Sequence, residues 1–327
     1  MNSLSLAVLA LLAATTPPDA GAPTKAVSAD GGDVPILAPG LTPAVAKVLA
    51  PELVSDGGVE RDGGATPILA PQTLSVYRVN LPAETALTAG FFGLYVMVDV
   101  LVKPTLGAGP NCLGYAHSGQ CDPSTLSAFD RYAVGRVSPG WATFSDVALV
   151  VSLAAPLLYL GLESLTLPTK DPLGDFIGDS LVVAESLALT ATVQTVLKFA
   201  FRRPRPANYL PGQGAEDIDL QLSFPSGHVS MVAAATTALT TTIFLRHPKS
   251  KVRFLALGAG ISLSLLTGLA RVESGQHFPT DVLTGLVVGA CSGFVVPFLH
   301  RKQARVQPSV TYNPVTQSTM LSIAGTL

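Results

Sequence analysis

From Leu81 onward the chain alternates long apolar runs with short polar breaks. The runs cover Ala86–Val102, Val147–Leu162, Ser180–Phe201, Val229–Leu245, Phe254–Ala270 and Val282–Leu299. Each approaches the ~20 residues that a helix needs to cross the hydrocarbon of a bilayer. None shows the strict apolar–polar alternation of a barrel strand, and helices satisfy their own backbone in lipid. The pattern therefore predicts an all-α, polytopic membrane helical bundle. The first run carries Asp99 and is followed by Lys103. If it lies in the interface or re-enters, five helices span; if it crosses, six do. Glu185, inside the third run, is read as bonding a neighbouring helix through Ser or Thr.

The polar segments divide the rest. Residues 1–22 contain a short apolar run, Leu4–Ala14, and a small-residue stretch, Ala20-Gly21-Ala22, which reads as a signal peptide. Residues 23–80 are rich in Pro, Gly and Ala and carry a repeated segment, Asp30–Pro39 against Asp62–Pro71, the composition of a disordered tether. Residues 81–300 form the helical domain, and 301–327 a C-terminal tail.

Composition agrees with a bilayer as solvent. Of 327 residues, 48% are hydrophobic and 13% charged, against ~25% charged in soluble domains. The net charge of −2 gives no reason to expect nucleic acid as a partner, and no obligate protein partner is evident. Basic residues Arg246, His247, Lys249, Lys251 and Arg253 follow the fourth run, and Arg301, Lys302 and Arg305 follow the sixth. These places read as cytoplasmic. The predicted location is the inner membrane of a bacterium, with the loops at the other helix ends extracytoplasmic. Cys112 and Cys121 fall on that outer side, where a disulfide persists; Cys291, in the last run, reads as packing. A cleaved signal would leave residues 23–80 outside, which agrees with five crossings and conflicts with six.

Three clusters of phosphate-handling side chains end the apolar runs on the outer side. The first is Lys198-Phe-Ala-Phe-Arg-Arg-Pro-Arg205-Pro206. Lys198 and Arg205 suit a phosphoryl group, and Arg202 and Arg203 read as a basic patch at lipid headgroups. In Pro225-Ser226-Gly227-His228, Ser226 is placed to cap a helix whose first amides face an anion, and His228 to act as a general acid. In the third, His277 and Asp281 are four apart across Pro279, so the carboxylate can orient the ring of a nucleophile. Arg271 adds a cation for the charge of a transition state.

In this order the clusters resemble the signature motifs of the type 2 phosphatidic acid phosphatase and vanadium haloperoxidase superfamily. Lys-x6-Arg-Pro corresponds to Lys198, Arg205 and Pro206, Pro-Ser-Gly-His to Pro225 through His228, and Arg-x5-His-x3-Asp to Arg271, His277 and Asp281. Ala270 stands where the family commonly has Ser. The resemblance spans residues 140–300. It implies a membrane phosphatase in which His277 attacks phosphorus, Asp281 orients it and His228 protonates the leaving group. Lys198, Arg205, Ser226, Gly227 and Arg271 would bind the phosphate, and no metal ion or other cofactor is required. It further implies a lipid phosphomonoester or polyprenyl pyrophosphate as substrate. The loop from Ala207 to Phe224, with Glu216, Asp217 and Asp219, is read separately as setting selectivity together with grooves between the helices. A phosphotransferase would use the same residues, and a vanadate-dependent haloperoxidase the same pocket.

Overall fold

The computed structural model describes residues 74–106, 112–116, 120–211, 217–302, 305–313 and 318–326. The expected signal peptide, most of the expected tether and Glu216 lie outside these residues.

Six long helices form the bundle: α1 (Leu81–Met97), α2 (Pro139–Thr166), α3 (Pro172–Phe201), α4 (Gly227–Arg246), α5 (Val252–Glu273) and α6 (Pro279–His300). Prolines stand in the first turn of α1, α2, α3 and α6, where the missing N–H costs nothing and the fixed φ is already helical. Asn80, Ser138 and Asp171 cap α1, α2 and α3 through their side chains. Helix α1 runs on through a π segment, Val98–Val102, into a 3-10 turn, Lys103–Thr105. That makes 25 continuous residues, so all six elements are long and apolar enough to cross a membrane. Asp99 and Lys103 do not interrupt the first one. They lie at its far end, where Lys103 pairs with Asp219 at 2.6 Å and with Asp99 at 3.6 Å.

Helix α4 is the central element. Its Ala, Ser and Thr residues are buried on most sides, while Leu158 on α2, Leu255 on α5 and Val287 on α6 are exposed, as lipid-facing side chains are. The narrow α4 surface lets α6 approach backbone to backbone. A Cβ at Gly289 would collide with the Ser230 carbonyl oxygen and lie 2.9 Å from both Ala233 Cβ and Ala234 N. This close approach aligns the first turns of α4 and α6, which carry the second and third clusters.

The opposite ends of the helices are locked by charge. Arg246 pairs with Glu163 and Asp179, and His247 Nε2 and the Tyr159 hydroxyl each lie 2.6 Å from Glu163 Oε1. Residues 74–80, within the span expected to be tether, are extended and packed here. Tyr77 is buried and bonds Thr242, Ser75 bonds Asp179, Arg78 N donates to His300 O, and Lys302 N donates to Val76 O. Glu185 does not bond Ser or Thr; it faces Glu84 and His300. In the expected C-terminal tail, strands β1 (Arg305–Asn313) and β2 (Ser318–Thr326) pair antiparallel, with Arg305 opposite Thr326.

Candidate active site

The ends of α3 and α5 and the starts of α4 and α6 meet at one end of the bundle. Helix α3 stops at Arg202, which takes a left-handed φ of 42° before Pro204 and Pro206 prevent further helix. The described residues that follow include 3-10 turns at Pro206–Tyr209 and Ile218–Gln221, and Pro225, whose peptide bond with Phe224 is cis, leads into α4. Between α5 and α6 lies a tight turn in which Gly275 adopts φ 67° and sits against the Arg136 carbonyl. A side chain there would meet both strain and a clash. The turn is closed by Gln276 N and His277 N, which donate to Arg271 O at 3.1 and 3.2 Å.

His277 is 1% exposed. Its Nδ1 lies 2.8 Å from the carbonyl oxygen of Ser223, which can only accept, so Nδ1 carries the proton and Nε2 keeps its lone pair. Asp281 Oδ2 is 3.7 Å from Nδ1, too far for a hydrogen bond. The backbone carbonyl of Ser223, rather than the carboxylate, therefore holds the ring. Asp281 instead fixes the surroundings: Oδ2 accepts from Ser223 Oγ at 2.6 Å and Phe278 N at 2.9 Å, and Oδ1 from Arg203 Nη1 at 2.5 Å. Burial, reinforced by Arg205, Arg271 and Lys198, holds the His277 imidazole well below its usual range, against the pull of the Ser223 carbonyl.

The cations and hydroxyls expected to meet a phosphate do converge. Arg271 is buried, with Nη1 3.2 Å from Ser145 Oγ. Arg205 Nη1 donates to Gln276 Oε1 at 2.5 Å. A Cβ at Gly227 would stand 3.3 Å from Lys198 Nζ and 3.0 Å from Gln194 Oε1, so the bare glycine lets the Lys198 ammonium lie against the start of α4. Ser226 occupies the N-cap position but makes no cap bond, and its buried Oγ has no partner. Arg205 Nε and Arg271 Nε are likewise buried without partners. Three unsatisfied donors at one helix N-terminus are a ready anion cradle.

Several participants were not foreseen from sequence. Asp146, in the first turns of α2, is 65% exposed and lies 2.8 Å from His228 Nε2 and 4.0 Å from Arg271. Arg203 is no headgroup patch. It bridges Asp281 and Asp130, donates to Thr280 Oγ1 at 2.7 Å, and lies 4.2 Å over the Phe278 ring. Asp130, in the one-turn helix Ala128–Arg131, also accepts from Thr280 N at 3.1 Å. Cys112 and Cys121 are bonded to each other, and Cys121 packs in a cluster with Tyr209, Phe278 and Val229. The cysteine loop thus braces the same Phe278 that precedes α6.

The arrangement places a buried ring nitrogen with a free lone pair beside guanidinium and ammonium groups, at one end of the six membrane-length helices found among the described residues. Residues 179–305, which include all three clusters, match the family model described as the PAP2 superfamily. Among relatives, the chain is 30% identical over 113 residues to a lipid A 1-phosphatase of Rhizobium johnstonii, covering 32% of this chain and 41% of that protein. It is 27% identical over 158 residues to an undecaprenyl-diphosphatase of Sulfolobus acidocaldarius, covering 46% and 71%. A solved structure, a transmembrane PAP2 type phosphatidylglycerolphosphate phosphatase from Bacillus subtilis, has 20% identity and a TM-score of 0.41 over 66% of this chain and 94% of that one.

Proposed function

We propose that this protein is a membrane phosphatase that hydrolyses a lipid phosphomonoester or a polyprenyl pyrophosphate through a phosphohistidine. The observation that carries the proposal is the tautomer of His277: with Nδ1–H bound to the Ser223 carbonyl, Nε2 offers a lone pair inside the cation cluster. Nε2 attacks phosphorus as the bond to the leaving oxygen breaks, and that oxygen takes a proton from His228. Water then attacks phosphorus, forming a P–O bond as the P–N bond to Nε2 breaks, giving its proton to His228 and releasing phosphate and neutral His277. Asp146, bound to His228 Nε2, stabilises the imidazolium and leaves Nδ1 to give and take the proton. Lys198, Arg205, Arg271, Ser226 and the Gly227 amide hold the equatorial oxygens as charge develops.

Relatives bearing the names lipid A 1-phosphatase and undecaprenyl-diphosphatase support a lipid-borne phosphate or diphosphate as the substrate class. The extracytoplasmic orientation is supported by Lys249, Lys251, Arg301 and Lys302, which lie at the end of the bundle remote from the site.

The test is phosphate release by purified protein with a chelator present. Phosphatidic acid, phosphatidylglycerol phosphate, polyprenyl pyrophosphate and a lipid A-type phosphate are compared. Release from at least one, lost in His277→Ala with the fold retained, is the expected result, together with an acid-labile phosphoenzyme. Full activity in His277→Ala would refute the mechanism.

A further inference from the structure

About 20 Å along α3 from Lys198, at 1.5 Å per residue, a second group of ionisable side chains takes no part in the proposed chemistry. Glu84 from the first turn of α1, Glu185 from the middle of α3 and His300 from the end of α6 direct their ligand atoms to a common point, all within 4.8 Å of one another. His300 Nε2 lies 3.2 Å from Glu84 Oε2 and 3.4 Å from Glu185 Oε2. We infer that this triad is a binding site for a divalent transition-metal ion of the Zn2+ type, clamping α1 to α3 and α6.

Three observations carry the inference. His300 Nδ1 lies 2.9 Å from the carbonyl oxygen of Val296. That acceptor requires the proton on Nδ1 and leaves Nε2 facing the two carboxylates, where it can serve as a ligand once a metal is present; such a supporting bond is one that metal-ligating histidines usually make. The spacings fit as well. Ligands at about 2.0–2.1 Å in a tetrahedral shell stand about 3.3 Å apart, and the two His–Glu separations bracket that value. Finally, Glu185 is 5% exposed, and its Oε2 has no hydrogen-bond partner although it points into the group.

Charge balance is compatible with a metal at this point. Among the described residues, no Lys or Arg nitrogen comes within 4.0 Å of either carboxylate. Two carboxylates and an imidazolium would leave one negative charge unless the two carboxyls share a proton. Two carboxylates, a neutral imidazole and a divalent ion sum to zero. Three protein ligands leave a fourth position for water.

The experiment uses the full chain in detergent, purified without chelator and analysed for metal, then stripped and titrated with Zn2+ alone. One equivalent of Zn2+ per chain is expected, with a rise in melting temperature. His300→Ala and Glu185→Gln should lower affinity by more than the roughly 10–100-fold caused by losing a supporting partner. Glu84→Gln, on the first turn of α1, removes a ligand without disturbing the packed α3–α6 contact and should show the same loss. His277→Ala should retain the full equivalent, which separates this site from the catalytic histidines. Absence of stoichiometric uptake by the wild type overturns the inference, as does undiminished Zn2+ affinity in Glu84→Gln.

Discussion

Replacing Gly289 by alanine adds one methyl group to α6, and the structure says where it would go. The new Cβ would meet the Ser230 carbonyl oxygen, Ala233 Cβ at 2.9 Å and Ala234 N at 2.9 Å. All three belong to the backbone or first side-chain carbon of α4, so no rotamer can move aside. Ordinary carbon contacts lie near 3.5–4.0 Å, so the helices must part by roughly 1 Å. Overpacking of this kind costs about 1–3 kcal/mol. The consequence reaches the site because α4 and α6 are joined at their starts by Ser226 N donating to Asp281 O at 3.0 Å. Separation there pulls His228 away from His277, and a displacement near 1 Å can lower the rate about 10²-fold. Melting temperature and kcat/KM for phosphate release should therefore fall together. Gly258→Ala is the control: a Cβ there meets nothing within 4 Å, and alanine favours a helix interior over glycine by about 0.5–1 kcal/mol. Wild-type stability and activity in Gly289→Ala would refute the argument, as would equal damage from Gly258→Ala.

Asp146→Asn should lower kcat about 10–100-fold with little change in KM, since it acts on His228 rather than on the phosphate; unchanged kcat would remove Asp146 from the mechanism. Arg203→Met should cost about 3–5 kcal/mol, because it strands the buried Asp281 carboxylate, as a denaturant titration would show. His277, held neutral in the folded state, should make stability pH-dependent. The unfolded imidazole takes a proton below its ordinary value of 6.5, whereas the folded one does so only at much lower pH. Its contribution is therefore complete above pH 6.5 and declines below it, by up to about 1.4 kcal/mol per pH unit; melting curves of His277→Ala should lack that component. Cys112→Ser, which opens the loop bound to Cys121, should destabilise the protein by about 2–3 kcal/mol in thermal denaturation.

The helices and the clustered cations were legible in the chain because each depends on local rules. Apolar length predicts a crossing, and prolines beside capping residues mark its start. Motif residues lie within a few positions of one helix end, so their spacing alone brings them close. Other contacts join segments far apart in sequence and leave no such trace. Asp146 is an ordinary polar residue preceding an apolar run until α2 packs beside His228. Arg203 looks like a headgroup cation until Asp130 and Asp281 enclose it. Ser223 positions His277 through its carbonyl, a group that every residue possesses, so side-chain identity carries no signal for it. Arg246 and His247, read from the sequence as basic residues flanking a crossing, are engaged by buried acids.

The extended segment before α1 is stitched to the end of α6 by Arg78 N to His300 O and Lys302 N to Val76 O. Reporter tags placed just ahead of Leu74 and just behind Lys302 must then sense one compartment. Any enzyme or binding module fused at either point would stand at the end of the bundle remote from the proposed site.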